Sequence, residues 1–273
     1  MIDFLNKRLK PKDWRGEPVI WKQYKKDGHR LTLIKDDSGS LKAYGRKPID
    51  LSEKLKHYEW WQRFNEIPKG TVIDGEVCVD SGSSNDVSTH LAKGTDGRLE
   101  FYPFAVPIWY NQDFSKAHLD VIDEILTQCI GFRLTSYFKI NQELDTRERL
   151  LYDAGELDIE GWVLKQRNYE GWWRLKPVKT LDCIVTGFQD GEKGKYLGGV
   201  GALLVSVYRS DNTLIEIAKV SGMTDSVRWN IDEKLDLGRV CEIKYQQVGA
   251  RGRLRFPRFV RWRDDKPAKE CTL

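Results

Sequence analysis

The chain has 273 residues, with 45 Lys and Arg against 41 Asp and Glu, four His and five Cys, and a formal net charge of +4. That length exceeds the usual single core and fits two domains of roughly 180 and 90 residues, while a charge this close to neutral does not by itself announce nucleic acid. No apolar run is long enough to span a membrane, the opening MIDFLNKRLKPKDW lacks a signal-peptide core, and five scattered cysteines without metal-ligand spacing argue against zinc and for a reducing, cytoplasmic setting.

In chain order, the first strong element is a strand through Trp21 to Lys25. Alternation puts Trp21, Gln23 and Lys25 on one face and Lys22, Tyr24 and Lys26 on the other. The strand runs into Asp27-Gly28, a turn, and then His29-Arg30, giving the pattern K-x-D-G-x-R. An amine can attack a phosphoryl centre and hold it as a phosphoramide, which splits one hard transfer into two easier ones. Lysine suits that task because, unlike arginine, it can release its proton when cations such as Lys26 and Arg30 crowd it.

Tyr44-Gly45-Arg46-Lys47 follows, with Arg46 a candidate phosphate contact, and helical spacing predicts a helix over Leu51 to Asn65. The β-rich run Thr71 to Val79 places Asp74 and Glu76 on one face, where buried carboxylates need a cation or hydroxyl partner. Ser81 to Asn85 has the composition of a flexible turn. Phe101 to Val106 is an apolar strand carrying Phe104, and helices are predicted over Lys116 to Cys129 and Asp145 to Tyr152. Leu157 to Lys165 alternates again, with Asp158, Glu160 and Trp162 on one side; carboxylate oxygens there suit a hard cation such as Mg²⁺. In Trp172 to Pro177, Arg174 and Lys176 lie opposite Leu175 and form an anion site.

Beyond a seam near Lys179 to Asp182 the pattern becomes all-β, with runs at Cys183 to Phe188, Gly201 to Tyr208, Leu214 to Val220 and Arg239 to Val248, and a short helix near Asp225 to Lys234. A five-strand barrel of the OB type closes such a unit and binds nucleic acid well. The last basic run, RGRLRFPRFVRWRDDK from Arg251 to Lys266, interleaves Phe256, Phe259 and Trp262 with arginines, a nucleic-acid footprint.

These segments, at Lys25, Arg46, Asp74, Phe104, Glu160, Lys176 and Arg263, resemble motifs I, Ia, III, IIIa, IV, V and VI of the covalent nucleotidyltransferases, in that order. F-P-R-F-V-R ahead of R-x-D-K resembles the form found in ATP-dependent DNA ligases. The resemblance implies an α+β nucleotidyltransferase (adenylation) domain of antiparallel sheets with flanking helices over residues 1–180, then a small all-β OB-fold domain over 181–273. It implies ATP and Mg²⁺ as cofactors, with Mn²⁺ as a substitute, and nicked duplex DNA as the partner of a monomer that needs no protein partner and no membrane. The catalytic residues it implies are Lys25, Asp27, Arg30, Lys176, Arg263 and Lys266. The nucleotide contacts are Gln23, whose amide would accept from the exocyclic amine of adenine, with Lys25, Arg30, Arg46, Glu76, Phe104 as the stacking ring, Arg174, Lys176 and Arg263. Glu76 and Glu160 would hold metal, and Arg46, Arg251, Arg253, Arg255 and Arg258 would meet DNA.

Lys25 would take AMP from ATP, pass it to the 5′-phosphate of a nick, and the 3′-hydroxyl would then displace it, with the OB domain swinging about the seam between steps. The chain resembles the minimal ligases of viruses and some bacteria, without an N-terminal DNA-binding domain or a latch insertion. Three positions depart from the family pattern: Pro48, Ala105 and Arg174. A capping guanylyltransferase shares K-x-D-G and R-x-D-K and is the catalytic alternative; a non-catalytic DNA-binding protein of the same fold is the other. An RNA ligase usually lacks the OB domain.

Overall fold

The computed structural model describes residues 2–79, 84–93, 98–157, 159–191, 197–249 and 252–272. Two compact units divide the chain, Met1–Pro177 and Val178–Leu273. The residues expected as the seam are strand: Lys179 to Asp182 pair in antiparallel register with Tyr245 to Glu242, so the division falls just ahead of them at Pro177.

The first unit runs α1 (Ile2–Asn6), β1 (Lys12–Asp13), β2 (Trp21–Tyr24), β3 (His29–Lys35), β4 (Leu41–Tyr44), α2 (Ser52–Leu55) and α3 (Glu59–Phe64). It continues β5 (Thr71–Val79), α4 (Ser84–Lys93), β6 (Leu99–Trp109), β7 (Gln112–Asp113), α5 (Leu119–Ile130), β8 (Tyr137–Lys139), α6 (Arg147–Glu156), β9 (Trp162–Lys165) and β10 (Trp172–Leu175). One sheet has the order β4-β3-β5-β6-β7 and the other β1-β10-β9-β2-β8; all pairs are antiparallel except β1 with β10. The central strand β5 is buried along nearly its whole length, Glu76 alone being partly exposed, so the Asp74 carboxylate at its centre needs partners within the protein. A core of Leu31, Leu33, Ile73, Val77 and Phe101 joins that sheet to Trp60, Trp61 and Phe64 of α3 and to Leu119, Ile122 and Leu126 of α5.

The helix predicted over Leu51 to Asn65 is two helices, because Tyr58 is extended (φ −74°, ψ 143°) between them. Both halves bury their apolar face, Leu55 on one side and Trp60, Trp61 and Phe64 on the other, so apolar periodicity carries across the break unnoticed. Of the predicted turn Ser81 to Asn85, the first three residues lie outside the described residues and the last two open α4.

The second unit is β11 (Lys179–Asp190), β12 (Val200–Tyr208), β13 (Leu214–Val220), α7 (Asp225–Trp229), β14 (Val240–Tyr245), β15 (Gln247–Val248), β16 (Leu254–Arg255) and β17 (Arg258–Trp262), ending in a 3-10 turn at Ala268–Glu270. Its sheet order is β13-β12-β11-β14-β17. The two edges of that sheet meet where Ser221 bridges Arg258 and Phe259 N donates to Ser221 O at 3.0 Å, which closes the sheet on itself around Cys183, Val185, Leu203, Val205, Ile217, Val220 and Ile243. No helix among the described residues is long and apolar enough to cross a membrane.

Candidate active site

A cleft in the first unit is lined by Pro11, Gln23, Tyr24, Lys25, Lys26, Arg30, Glu76, Phe104, Thr135, Val163 and Trp172. Five residues singled out in the sequence therefore converge: Gln23, Lys25, Arg30, Glu76 and Phe104. The backbone arranges this simply. Gln23 sits in β2 opposite Val163 of β9, Lys25 lies one residue past the end of β2 with its N–H donating to Gly161 O at 3.0 Å, and Glu76 pairs with Arg30 across β3 and β5.

Two glycines let the segments close. A Cβ on Gly28 would lie 2.3 Å from Val77 O and 2.6 Å from Cys78 Sγ, so the turn after Lys25 lies against β5 only because residue 28 has no side chain. Gly161 has φ +145° and would place a Cβ 2.4 Å from Leu175 O. That bend ends the alternation expected through Leu157 to Lys165: Glu160 stands before the strand, and Trp162 is core, 2 % exposed with Nε1 donating to Leu150 O. Asp158 lies outside the described residues.

Lys25 Nζ and Lys176 Nζ both bind Glu160, one on each carboxylate oxygen. The cation that shares a carboxylate with Lys25 is thus Lys176; Lys26 instead points its ammonium over the Tyr102 ring, 4.1 Å from the centroid. Glu76 faces the same cleft, and burial, reinforced by the nearby charges of Glu160 and Asp74 and opposed by Lys25 and Arg30, pushes its carboxyl up to about 7. Among the described residues no group of three or more His, Cys, Asp or Glu gathers as a metal cage. Mg²⁺ does not require one: it keeps several waters and takes one or two carboxylates plus phosphate oxygens, and the hard oxygens of Glu76 and Glu160 beside Lys25 fit that demand.

Gln23 is 1 % exposed. Its Nε2 donates to Thr135 O at 2.9 Å, and its Oε1 has no hydrogen-bond partner. A buried acceptor left unmade is costly, so the cleft wall carries a fixed acceptor awaiting a donor. Phe104 packs edge-on to Trp172 at 5.6 Å, with the Arg30 guanidinium 5.8 Å from its centroid. Behind it the fully buried Lys165 donates to Phe104 O at 2.6 Å and lies 4.1 Å from the Trp172 ring; burial holds that amine well below its ordinary value.

Arg30 is held rather than free. Its Nε donates to Asp74 Oδ1 at 3.1 Å, its Nη2 binds Asp74 Oδ2 and Tyr169 Oη (2.9 Å), and Nη1 binds Leu9 O. Tyr169 Oη in turn donates to Asp74 Oδ2 at 2.7 Å. The carboxylate of Asp74 is therefore the counterion that aims Arg30, and Tyr169, Trp172, Thr135, Lys165 and Pro11 are site residues that sequence patterns did not single out. Only the paired tryptophans at 172 and 173 gave any signal.

Other expected residues stand outside the cleft. Arg174 is half exposed and donates to Asp13 Oδ1 at 2.6 Å, its register partner across β1 and β10. Arg46 is exposed on the turn after β4, with Pro48 beside it. Asp27 does not line the cleft; its charge acts on His29 and Cys78. Ala105 is fully buried against Tyr169 and Trp172.

In the second unit, Arg263 Nη1 donates to both oxygens of Asp182 at 3.0 Å, while its Nε and Nη2 grip Asp265 at 2.8 and 2.9 Å. Lys266 Nζ donates to the same Asp182 at 2.9 Å. Of the basic run, Phe259 is core while Phe256 is 65 % exposed with φ +52°. Arg253 pairs with Glu216 at 3.2 Å, the Arg255 guanidinium lies 5.9 Å from the Phe256 ring, and Arg258 is exposed. Arg251 lies outside the described residues.

Residues 191–263 match the family model described as the DNA ligase OB-like domain. Among curated proteins, the chain is 33 % identical over 300 residues to a DNA ligase of Methanoculleus marisnigri, covering 93 % of this chain and 53 % of that one. It is 24 % identical over 324 residues to DNA ligase 2 of Korarchaeum cryptofilum, covering 93 % and 54 %. The chain thus spans about half the length of the curated relatives it matches. Among solved structures, one from a structure-function study of DNA binding by Lig E DNA ligases superposes with TM-score 0.69 at 18 % identity, over 94 % of this chain and 98 % of that one. A mycobacterial DNA ligase D complexed with ATP and MES gives 0.50 at 19 % identity, over 98 % of each. The fold is that of the DNA ligases, a nucleotidyltransferase unit followed by an OB unit.

Proposed function

We propose that this chain, whose relatives are DNA ligases and whose two units have their fold, is an ATP-dependent DNA ligase that seals 5′-phosphate/3′-hydroxyl nicks in duplex DNA. One observation carries the reading: a lysine just past the end of a half-buried strand, two residues after an unsatisfied glutamine acceptor, in one cleft with Arg30, Glu76 and the Phe104 ring.

Adenine, stacked on Phe104, offers its 6-amino group to Gln23 Oε1, whereas guanine would present a carbonyl oxygen to the same acceptor. That preference favours the ligase over a capping guanylyltransferase. Lys25 Nζ, beside Glu160, gives up a proton to solvent and attacks the α-phosphorus as the free amine, the N–P bond forming as the P–O bond to the departing pyrophosphate breaks. Bound at Glu76 and Glu160, Mg²⁺ would supply neutralisation of the phosphate charge. Lys176, paired to Glu160 across from Lys25, is the cation placed to bind an α-phosphate oxygen, and Arg30 is braced by Asp74 to meet the nucleotide. Arg263 and Lys266 act on the departing pyrophosphate. In the following steps AMP passes to the 5′-phosphate of the nick and is displaced by the 3′-hydroxyl. Arg46, Arg251, Arg253, Arg255 and Arg258 contribute phosphate contacts that make binding salt-dependent. The proposed setting is intracellular, as a monomer, with no sequence preference in the DNA.

The test is incubation with Mg²⁺ and α-labelled ATP or GTP in parallel, followed by a chase with nicked duplex. Label from ATP that leaves the protein as the nick is sealed supports the reading. Label from GTP transfers the chain to the capping branch, and label from neither leaves a DNA-binding module.

A further inference from the structure

Arg8 belongs to none of the sequence patterns and does not line the cleft. Its half-buried guanidinium nevertheless makes four hydrogen bonds: Nε to Leu5 O at 3.1 Å, Nη1 to Thr32 Oγ1 at 3.1 Å and to Gly45 O at 2.9 Å, and Nη2 to Arg46 O at 2.6 Å. Two of these end on consecutive carbonyls of the turn after β4. That turn is otherwise closed by Gly45 N to Ile49 O at 3.2 Å and Ile49 N to Lys47 O at 2.6 Å, and it presents Arg46 outward, with no carboxylate partner among the described residues. Thr32, the third partner, passes the linkage on: its hydroxyl accepts from Arg8 and donates to Asp74 Oδ1 at 3.2 Å, and Asp74 grips Arg30. Arg30 and Arg46 are thus linked through one hydrogen-bonded chain that includes Arg8.

We propose that Arg8 is a positioning residue for Arg46: its planar fork fixes the Gly45 and Arg46 carbonyls, so that the Arg46 guanidinium is held ready for a DNA phosphate rather than moving with a loose turn. The inference rests on the proposed reading of the chain as a ligase with Arg46 on DNA. A lysine at position 8 keeps the charge near Asp74 but has no fork with which to span two carbonyls.

The experiment measures binding of a nicked duplex over a series of salt concentrations for the full chain, Arg46→Ala, Arg8→Met, Arg8→Lys and the Arg8→Met/Arg46→Ala double variant, with lysyl-AMP formation measured alongside. Losing one phosphate contact lowers the salt slope by about one. Arg46→Ala and Arg8→Met should each lower it by about one, and the double variant by no more than either, because both remove the same contact. Arg8→Lys, which preserves the local charge and so protects the fold, should fall between wild type and Arg8→Met. A wild-type slope in a folded Arg8 variant, or a double variant that loses about two, overturns the inference. So does an Arg8→Lys protein that loses lysyl-AMP formation while keeping its salt slope, since Arg8 would then act through Arg30. Failure of the underlying reading looks different: the wild-type chain itself takes no label from ATP.

Discussion

Deleting the 6-amino group of the purine is the most direct probe of Gln23. The side chain cannot turn to suit another base without losing its 2.9 Å bond to Thr135 O, so Oε1 remains the atom left unpaired at the cleft wall. A buried acceptor without a donor costs about 1–3 kcal/mol. ATP removes that cost on binding and purine riboside triphosphate does not, so the two should differ by roughly 5- to 150-fold in affinity at about 1.4 kcal/mol per decade. GTP should be worse still, since its carbonyl oxygen adds a second acceptor facing the first. Gln23→Leu removes the acceptor from the wall while keeping an apolar body of similar size. In that variant the ratio between ATP and the deaminated analogue should fall close to one, whatever happens to absolute affinity. The assay is the rate of lysyl-AMP formation at limiting concentrations of ATP, purine riboside triphosphate and GTP, for wild type and Gln23→Leu. The reasoning fails if wild type separates ATP from purine riboside triphosphate by less than about twofold, or if Gln23→Leu discriminates as well as wild type, because another group would then read the amine.

Lys25→Arg should retain the pairing with Glu160 but yield less than about 1 % of the wild-type adenylated protein by intact mass, since a guanidinium is no nucleophile here; substantial labelling would move the nucleophile elsewhere. Arg263→Ala should slow self-adenylation severely while leaving the sealing of a pre-adenylated nick within about threefold of wild type, and an equal loss in both reactions would count against a role confined to pyrophosphate. His29 supplies a pH signature. Burial lowers its pKa from the ordinary 6.5, against an opposing pull from Asp27, so as pH falls below 6.5 the unfolded chain takes up a proton that the folded chain refuses, and stability is lost in that acid window. The melting temperature of wild type should therefore drop below pH 6.5 more steeply than that of His29→Gln; parallel curves would show that His29 contributes nothing.

Much of the site was legible because strands impose a two-residue period and motifs keep their order. Gln23, Lys25, Glu76 and Phe104 sit on chain segments whose faces alternation identifies, and they line one cleft. Alternation misleads at strand ends. β10 stops at Leu175, so Lys176 beyond it turns to Glu160 while Arg174 within it turns to Asp13, although a simple strand would put both on one face. The bend at Gly161 likewise separates Glu160 from Trp162. Arg8 was invisible for a different reason: its main partners are backbone carbonyls of a turn nearly forty residues away, and no residue type in the sequence marks a carbonyl as needing a donor. Tyr169 escaped notice because its partners, Asp74 and Arg30, are brought to it only by the pairing of β3 with β5.

Both cation clusters assigned to phosphate chemistry already have carboxylate partners, and this shapes what binding must do. In the first unit Lys25 and Lys176 share Glu160; in the second, Arg263 and Lys266 share Asp182, and Asp265 takes the other edge of Arg263. Two positive charges against one negative leave the first cluster net positive, while the second is neutral at two against two. On the proposed reading, a triphosphate therefore meets a site in the first unit that attracts it outright, whereas the cations of the second unit can take up pyrophosphate only by exchanging it for Asp182. An exchange between anions gains little net Coulomb energy, so engagement of Arg263 and Lys266 should be weak and reversible. Such a weak grip suits a leaving-group site that must let go before DNA is engaged, and it makes Asp182 the residue whose neutralisation, as Asp182→Asn, should lower the ATP concentration needed for self-adenylation.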